Sequence, residues 1–337
     1  MRRFSIAPRR LIPLLLLLLL VVALATACTD PMSTIDPKSD NTRRVQDLYV
    51  LVFWAATIVF VGVMAAALIF SFMYRERPGR TAQQIHGNTR LEIVWTLIPV
   101  VILAVIAVPT FDTVIKTTGD APEGALEVIA TGHQWWFEFE YPELGVTTAN
   151  EMHVPVGRAV NVKLRSVDVI HSFWVPQLTG KTDMVPGHDN RLWFTPEVEG
   201  EFRAQCAEFC GTSHANMRFR VFVRSQGDFE AWVANQKKDR VAPTADLAKQ
   251  GEQVFLTGAC VGCHVVRGTA AAARVGPELT HVGERTTIAS ALLDNTPENM
   301  ARWLRNPPAA KPGSKMPNLN LTEDQIQKLV AYLESLK

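Results

Sequence analysis

Residues 206 to 217 read CAEFCGTSHANM, and this short segment sets the architecture expected around it. It brings two thiols, one imidazole and one thioether into a single loop. Thiolate and thioether sulfurs are soft ligands, and together with imidazole they favour copper over hard cations. A blue-copper site uses one cysteine, whereas Cys206 and Cys210 offer two thiolates, which can bridge a pair of copper ions. With His171 of DVIHSFWVP as an upstream imidazole, the pattern predicts a binuclear copper centre suited to electron transfer.

Two other interpretations of this loop remain open. Zinc would accept two cysteines and two histidines in a closed tetrahedral site, but that site would leave the thioether of Met217 without a role. A redox-active disulfide between the two cysteines is the third interpretation. The local chemistry favours copper over both.

Segments typical of β-strands surround the copper loop. Between about Leu126 and Val233 the chain alternates short β-rich pieces with Gly, Pro and Asn turns; the pieces are LEVIATG, AVNVKLRSV, RLWFTPE and MRFRVFVRS. This pattern is typical of an antiparallel sandwich or barrel. We therefore expect a β domain over residues 120–235.

A second cluster of chemistry-bearing residues is Cys260-Val-Gly-Cys263-His264. The C-x-x-C-H spacing is the attachment motif of a c-type haem, in which two thioethers hold the porphyrin and the histidine binds iron. A thioredoxin-like dithiol would instead follow a strand, whereas this motif follows the helical segment DLAKQGEQVF. The sequence therefore favours haem, with Met316 as the sixth ligand, since methionine raises the potential. Met300, on the apparent helix PENMARWL, is interpreted as a packing residue.

Residues 247–337 have a helical pattern, which includes a final helix with Thr322 and Gln325 as a capping box. The polar, proline-bearing stretch at residues 236–246 separates this segment from the β domain and is typical of a linker. We therefore expect a separate helical domain around the haem motif.

The charge and hydropathy pattern of the N-terminal third predicts that the chain is exported and anchored in a membrane. Residues 1–28 combine arginines, a leucine run and small residues before Cys28, as in a secretory signal. Cys28 also matches the position of a lipid-attached cysteine; an uncleaved anchor is the alternative. Two uncharged runs, Leu48 to Tyr74 and Ile93 to Phe111, are each long enough to cross ~30 Å of hydrocarbon.

The connection between the two runs predicts their orientation. Residues 45–115 should form a transmembrane hairpin, whose connection carries Arg75, Arg77, Arg80 and Arg90 against the single acid Glu76. By the positive-inside rule this connection stays in the cytoplasm. The β domain and the haem domain then lie on the outer side of the membrane. The formal net charge of +1 and the lack of a long basic run argue against a nucleic-acid binder.

Three motifs together resemble subunit II of the haem-copper cytochrome c oxidases over residues 45 to 233: CAEFCGTSHANM, DVIHSFWVP and GHQW at 132–135. The resemblance implies a cupredoxin-like β-sandwich with two copper ions. It also implies a magnesium ion at the subunit interface, bound by the Glu208 side chain. The implied copper ligands are His171, Cys206, Cys210, His214, Met217 and the main-chain carbonyl of Glu208.

The resemblance also assigns roles to two residues outside the metal loop. Trp135 matches the aromatic through which electrons enter, although strand alternation in WWFEFEY would place Trp135 in the core and expose Trp136. Glu92 matches a glutamate at which protons enter a channel of the catalytic subunit. The alternative is an interfacial acid favoured by a helix N-terminus.

Residues 247–337 resemble a class I cytochrome c, so the whole chain resembles the cytochrome c-fused subunit II of a bacterial caa-type oxidase. The resemblance implies a cell-membrane protein that passes electrons from a cytochrome c or a quinol-oxidising complex through its own haem c to copper. The catalytic subunit I would then reduce oxygen to water, coupled to proton translocation. The chain is not catalytic alone, since neither span contains a histidine.

Two rival functions follow from the same residues. One is a free-standing, membrane-anchored electron-transfer protein without an oxidase partner. The other is a copper store or delivery protein, which would have no use for the covalent haem.

Overall fold

The computed structural model describes residue 20, residues 32–79, residue 81 and residues 86–337. The predicted signal segment, including Cys28, lies outside these residues apart from position 20. Part of the predicted cytoplasmic connection, including Arg80, lies outside them as well.

Two long apolar helices come first: α1, Asp40–Met73, and α2, Thr89–Thr118. The side chains of Ser39 and Asn88 cap them by accepting hydrogen bonds from first-turn amides. Both helices are long and apolar enough to cross a membrane, and most of their large apolar side chains are exposed. With 34 and 30 residues they are longer than the predicted uncharged runs, so each extends beyond ~30 Å of hydrocarbon.

The N-terminal end of α1 is attached to the β domain. The Ser39 hydroxyl donates a hydrogen bond to the Leu178 carbonyl, and the Asn41 amide donates to the Trp193 carbonyl, both at 2.6 Å. The first turn of α1 is therefore buried although the rest of the helix is exposed. This contact fixes the membrane anchor against the domain that holds the copper loop.

The middle of the chain forms two five-stranded sheets whose inner faces share one core. The strand order is β3-β2-β1-β5-β8 in one sheet and β4-β10-β9-β6-β7 in the other. The strands are β1, Leu126–His133; β2, Trp136–Tyr141; β3, Val146–Ala149; β4, Glu151–Pro155; β5, Val160–Ser166; β6, His171–Trp174; β7, Thr182–Met184; β8, Asn190–Phe194; β9, Gly200–Cys206; and β10, Arg218–Arg224. Buried and half-buried residues alternate along β1, as expected for a strand with one face in the core.

The prediction of an antiparallel sandwich was wrong in one respect, because each sheet contains a parallel pair. β1 runs parallel to β5, and β4 runs parallel to β10. Parallel neighbours need a long crossover rather than a tight turn, and here β2 to β4 connect β1 to β5, while β5 to β9 connect β4 to β10. Strand-length segments alone do not reveal which strands become neighbours.

The sheet order places the copper loop. β9 ends at Cys206 and β10 begins at Arg218, and the two strands are antiparallel neighbours. β6 lies on the other side of β9, with Phe173 opposite Cys206. His171 at the start of β6 therefore lies beside the loop, although it is distant in sequence.

The C-terminal part is helical, with a short two-stranded ribbon. Helix α3, Gln226–Gln236, follows β10 and packs on the β domain. The elements of the C-terminal part are α4, Asp246–Thr257; β11, Thr287–Ile288; β12, Leu293–Asp294; α5, Pro297–Arg305; α6, Pro307–Ala310; and α7, Glu323–Ser335. α7 has the predicted capping box of Thr322 and Gln325. The linker between α3 and α4 is attached at its start, since Arg267 donates to the carbonyls of Gln236 and Lys238.

Candidate metal centre and haem-attachment site

The predicted copper ligands lie in one cluster. The Cys206 and Cys210 sulfurs are 3.8 Å apart, and the Cys210 sulfur lies 3.6 Å from His214 Nδ1 and 3.8 Å from Met217 Sδ. His171 Nδ1 lies 3.9 Å from the Cys206 sulfur. Such a ring of soft donors can accommodate metal between its members.

The geometry bears on the two alternatives for this loop. The cysteines are free and their sulfurs are separated by 3.8 Å, well beyond the ~2.05 Å of a disulfide. The thioether of Met217 is fully buried and contacts Cys210. A closed zinc tetrahedron would have no use for this sulfur, so the donor set fits copper better.

His171 is held in place by a carboxylate that the sequence reasoning missed. His171 Nε2 lies 2.8 Å from Asp168 Oδ1, so the imidazole donates its Nε2 proton there and leaves Nδ1 facing the sulfur as a metal ligand. Burial alone would lower the pKa of His171, but hydrogen bonds with Cys206 and Asp168 raise it overall. The spacing of three residues in DVIH was the available signal.

Two further features surround His171. Gly132 lies under the imidazole, and a Cβ at this position would come within 2.7 Å of His171 Cδ2. Burial opposes ionisation of Asp168, yet hydrogen bonds from His171 and from the amides of Gln134 and Val169 lower the pKa of Asp168 to about 2. Asp168 therefore stays ionised and keeps His171 oriented.

The two thiols do not titrate alike. The hydrogen bond between the sulfurs lowers the pKa of Cys206 and raises the pKa of Cys210. Metal binding requires both cysteines as thiolates, and the lowered pKa of Cys206 favours it.

Glu208 has its carbonyl and its side chain in different surroundings. The carbonyl oxygen lies 3.2 Å from the Cys206 sulfur, inside the ligand cluster, whereas the side chain is exposed. The neighbouring Phe209 is 76% exposed and contacts the ring of His214. An exposed carboxylate and an exposed aromatic beside a metal loop form a surface suited to another subunit.

Trp135 lies outside the strand that alternation predicted for it. β2 begins at Trp136, whose ring stacks on His133 at 4.1 Å. Trp135 sits in the turn before β2, half-buried, and its indole Nε1 donates a hydrogen bond to the Cys210 carbonyl at 3.0 Å. The indole is therefore one hydrogen bond away from a residue that the sequence predicts as a copper ligand.

The haem motif forms a compact turn. The amides of Cys263 and His264 both donate to the Cys260 carbonyl, so the two thiols and the imidazole belong to one turn. His264 Nδ1 lies 2.7 Å from the Pro277 carbonyl, which leaves Nε2 for iron. Burial lowers the pKa of His264 and keeps the imidazole neutral, as a ligand must be.

The space around His264 also fits a haem ligand. A Cβ at Gly276 would come within 2.7 Å of His264 Cε1, so the missing side chain lets the main chain support the ring. Met316 packs at the edge of the C-terminal core, whereas Met300 is buried inside it, as interpreted from the sequence. The residues present are those that a covalent haem c needs.

Glu92 lies in the first turn of α2 and is exposed. Its carboxylate approaches Gly87, where a Cβ would lie 3.1 Å from Oε1. This position suits an acid at a helix N-terminus. The proton-uptake role implied by the resemblance stays a prediction.

Sequence reasoning also missed the contacts between the two outer domains. Glu151 on β4 accepts hydrogen bonds from Thr286 and Thr287 of the C-terminal domain. Lys311 of that domain donates to the Trp135 carbonyl of the β domain. No local pattern marks these residues, because their partners are more than 100 positions away in the chain.

Family models match three consecutive parts of the chain. Residues 32–113 match the transmembrane domain of cytochrome c oxidase subunit II, and residues 146–223 match its periplasmic domain. Residues 248–337 match cytochrome c. These matches imply copper and haem c as cofactors and are consistent with a β domain on the periplasmic side.

Relatives cover nearly the whole chain. Cytochrome c oxidase subunit 2 of Alkalihalophilus pseudofirmus is 39% identical over 91% of this chain and 91% of its own, and that of Bacillus subtilis is 35% identical over 96% and 97%. The solved periplasmic domain of subunit II of cytochrome oxidase (CoxB) of Bradyrhizobium japonicum is 33% identical over 34% of this chain and 96% of its own, with a TM-score of 0.34. The chain therefore belongs to the cytochrome c oxidase subunit II family, as a membrane-anchored subunit of an oxidase complex that carries a C-terminal cytochrome c domain.

Proposed function

We propose that the chain passes electrons from an external donor through its own haem c to a binuclear copper centre and on to the catalytic subunit, which reduces oxygen to water. The donor is a cytochrome c or a quinol-oxidising complex. The haem is held by Cys260, Cys263, His264 and Met316. The copper pair is held by His171, Cys206, Cys210, His214, Met217 and the Glu208 carbonyl.

One observation carries this proposal: the loop that bears Met316 lies against the residues around the copper ligands. The Pro312 carbonyl accepts a hydrogen bond from Ser213 at 2.5 Å. The main chain at Gly313 lies so close to Trp135 that a Cβ would come within 2.9 Å of the indole. Trp135 in turn donates to Cys210, so a short covalent and hydrogen-bonded route joins the two ligand sets.

A bound haem and bound copper would supply one-electron redox chemistry. The residues of the chain supply orientation and exclude water. Asp168 and the Pro277 carbonyl orient His171 and His264, and burial keeps Met217 away from solvent. A fixed, dry surrounding reduces the reorganisation that accompanies each transfer.

Three finer assignments belong to the same proposal. The exposed Glu208 side chain contributes to a magnesium site shared with the catalytic subunit. Trp135 is the aromatic through which the electron reaches copper, because its indole contacts the Cys210 main chain. Glu92 admits protons to the catalytic subunit from the cytoplasmic end of α2.

The proposal is tested with the complete oxidase in detergent and the variant His264→Ala. Oxidation of the natural donor should be abolished while the EPR signal of the copper pair is retained, because His264 lies in the other domain. The matched control is His188→Ala, an exposed histidine of the β domain, which should leave turnover unchanged. Unchanged turnover in His264→Ala would refute the series pathway.

Co-purification tests the alternative of a free-standing electron carrier. A mild-detergent preparation of the wild-type chain should contain a many-spanning haem protein in equal amount. A preparation that never contains such a partner would contradict the oxidase assignment.

A further inference from the structure

We propose that Lys311 is a positioning residue that holds the Met316-bearing loop of the C-terminal domain against Trp135 of the β domain. Residues 311–316 are called the docking loop below. The inference rests on the proposed function, because it concerns how the two redox domains are kept together.

The ammonium group of Lys311 crosses the boundary between the domains. Nζ lies 2.5 Å from the Trp135 carbonyl and 3.2 Å from the Ala289 carbonyl. One acceptor belongs to the β domain and the other to the C-terminal domain. Lys311 therefore connects the main chains of the two domains at Trp135, the residue whose indole contacts the Cys210 carbonyl.

Lys311 is unusual because it is buried without an acidic partner. The residue is 4% exposed, and none of the ion pairs among the described residues includes it. A lysine is almost never fully buried unless it is paired, and main-chain carbonyls are the acceptors that offset its desolvation here. Burial lowers the pKa of Lys311 to about 7. The ammonium group keeps both carbonyl partners only while the two domains remain in contact, because one partner belongs to each domain.

The other polar contacts of the docking loop with the β domain are one single hydrogen bond and one exposed ion pair. Ser213 donates one hydrogen bond to the Pro312 carbonyl, and Lys315 lies 3.3 Å from Asp168 with 62% of its side chain exposed. An exposed ion pair contributes ~0–1 kcal/mol and is screened by salt. The docking loop also packs on Trp135 through the main chain at Gly313, and Lys311 is the buried charged donor that holds this packing in place through two carbonyl partners.

The experiment uses the full chain in its oxidase complex, with haem and copper in place, and compares wild type with Lys311→Met and Lys249→Met. Methionine preserves the length of the side chain and removes its charge and donors. Lys249 lies on α4 at the surface of the C-terminal domain and is 55% exposed, so it is the matched control.

Two readouts follow the contact itself. Hydrogen exchange of the peptides spanning residues 311–316 and 134–136 should become at least tenfold faster in Lys311→Met. The rate of electron transfer from haem to copper after flash reduction should fall at least tenfold, because the docking loop separates from Trp135. The haem absorption and copper EPR spectra should match wild type, and Lys249→Met should match wild type throughout.

The proposal is overturned if exchange and transfer in Lys311→Met stay within twofold of wild type. Loss of either spectrum in Lys311→Met would also overturn it, because a positioning residue leaves both centres assembled. Failure of the proposed function has a different signature: wild type itself would then show no electron transfer between haem and copper.

Discussion

Asp168 illustrates how one carboxylate sets the chemistry of a neighbouring residue. It accepts the Nε2 proton of His171 and two main-chain amide protons, and these bonds lower its pKa to about 2 although burial opposes ionisation. The Nδ1 lone pair of His171 is consequently directed at the sulfurs. A residue that binds no metal thus determines whether a metal ligand is available.

Replacing Asp168 by asparagine should lower copper affinity by ~10–100-fold, the usual cost of losing a partner of a ligating histidine. Competition with a copper chelator measures this loss. Asp189→Asn is the control, because Asp189 forms exposed ion pairs with Lys163 and Arg165 on the same domain. Equal copper affinity in Asp168→Asn and wild type would contradict the orienting role.

Gly276 gives the corresponding prediction for the haem site. A methyl group in Gly276→Ala would lie within 2.7 Å of His264 Cε1, so the ring should be pushed away from the Pro277 carbonyl at a cost of ~1–3 kcal/mol. The fraction of low-spin haem, read from the absorption spectrum, should fall. Gly262 lies in the turn that contains His264, and a Cβ there would have no neighbour within 4 Å. Gly262→Ala should therefore keep the wild-type spectrum. If both variants keep it, the support for His264 comes from elsewhere.

At the level of elements, the copper site is built from three strands that are neighbours only in the folded sheet. β9 and β10 hold the two ends of the loop, and β6 brings His171 beside them. The loop itself needs no regular structure, since its direction is set by the ends of the strands. Rigid strands hold ligand residues in more precise positions than a loop would alone, so the ligands should move little during electron transfer.

The haem domain depends on a close crossing of its first and last helices. A Cβ at Gly251 on α4 would lie 1.9 Å from the Lys328 carbonyl of α7. Gly251→Ala should therefore force α4 and α7 apart and lower the free energy of unfolding by ~3 kcal/mol. Thermal unfolding followed by haem absorption measures the loss. Gly227→Ala on α3, with no neighbour within 4 Å, should change stability by less than ~1 kcal/mol.

Across the whole molecule, the polar contacts between the β domain and the C-terminal domain include two that are made by buried charged side chains. One is Lys311 on Trp135, and the other is Glu151 on β4, which is 2% exposed and accepts hydrogen bonds from Thr286 and Thr287. Burial raises the pKa of Glu151, although these hydrogen bonds oppose the shift. The interface therefore contains a buried acid and a buried base that do not pair with each other.

Glu151 gives a pH-dependent prediction. Because its pKa is raised in the folded chain, the folded state binds more protons than the unfolded state just above the ordinary pKa of a glutamate. Its contribution to stability is complete below that pKa and is lost as the pH rises through the folded value, at up to ~1.4 kcal/mol per pH unit. Unfolding measured at several pH values should show this slope in wild type and a smaller slope in Glu151→Gln. Glu143→Gln, at an exposed position, should keep the wild-type slope; an unchanged slope in Glu151→Gln would contradict the prediction.

Local patterns were enough to predict the two apolar helices, a β domain, a helical domain after it and the capping box of α7, whereas the ligand residues stay predictions. The soft-donor loop, the C-x-x-C-H turn, the two apolar runs and the capping box of α7 each depend on residue types at short spacing. Residues a few positions apart in the chain must lie close together in space, so a shared binding site or cap can be predicted before the fold is known. His171 is more distant in the chain: the pattern offered it only as an available upstream imidazole, and its place beside the loop depends on the pairing of β6 with β9.

The tertiary structure decided what depends on residues far apart in the chain. Alternation did not reveal that Trp135 packs on the core from the turn before β2 and not from the strand. The parallel pairs β1–β5 and β4–β10 follow from crossovers that strand patterns do not encode. The partners of Lys311 and Glu151 lie more than 100 positions away. Such contacts form only when whole domains pack, because their free energy comes from burial and hydrogen bonding across a surface that no short segment contains.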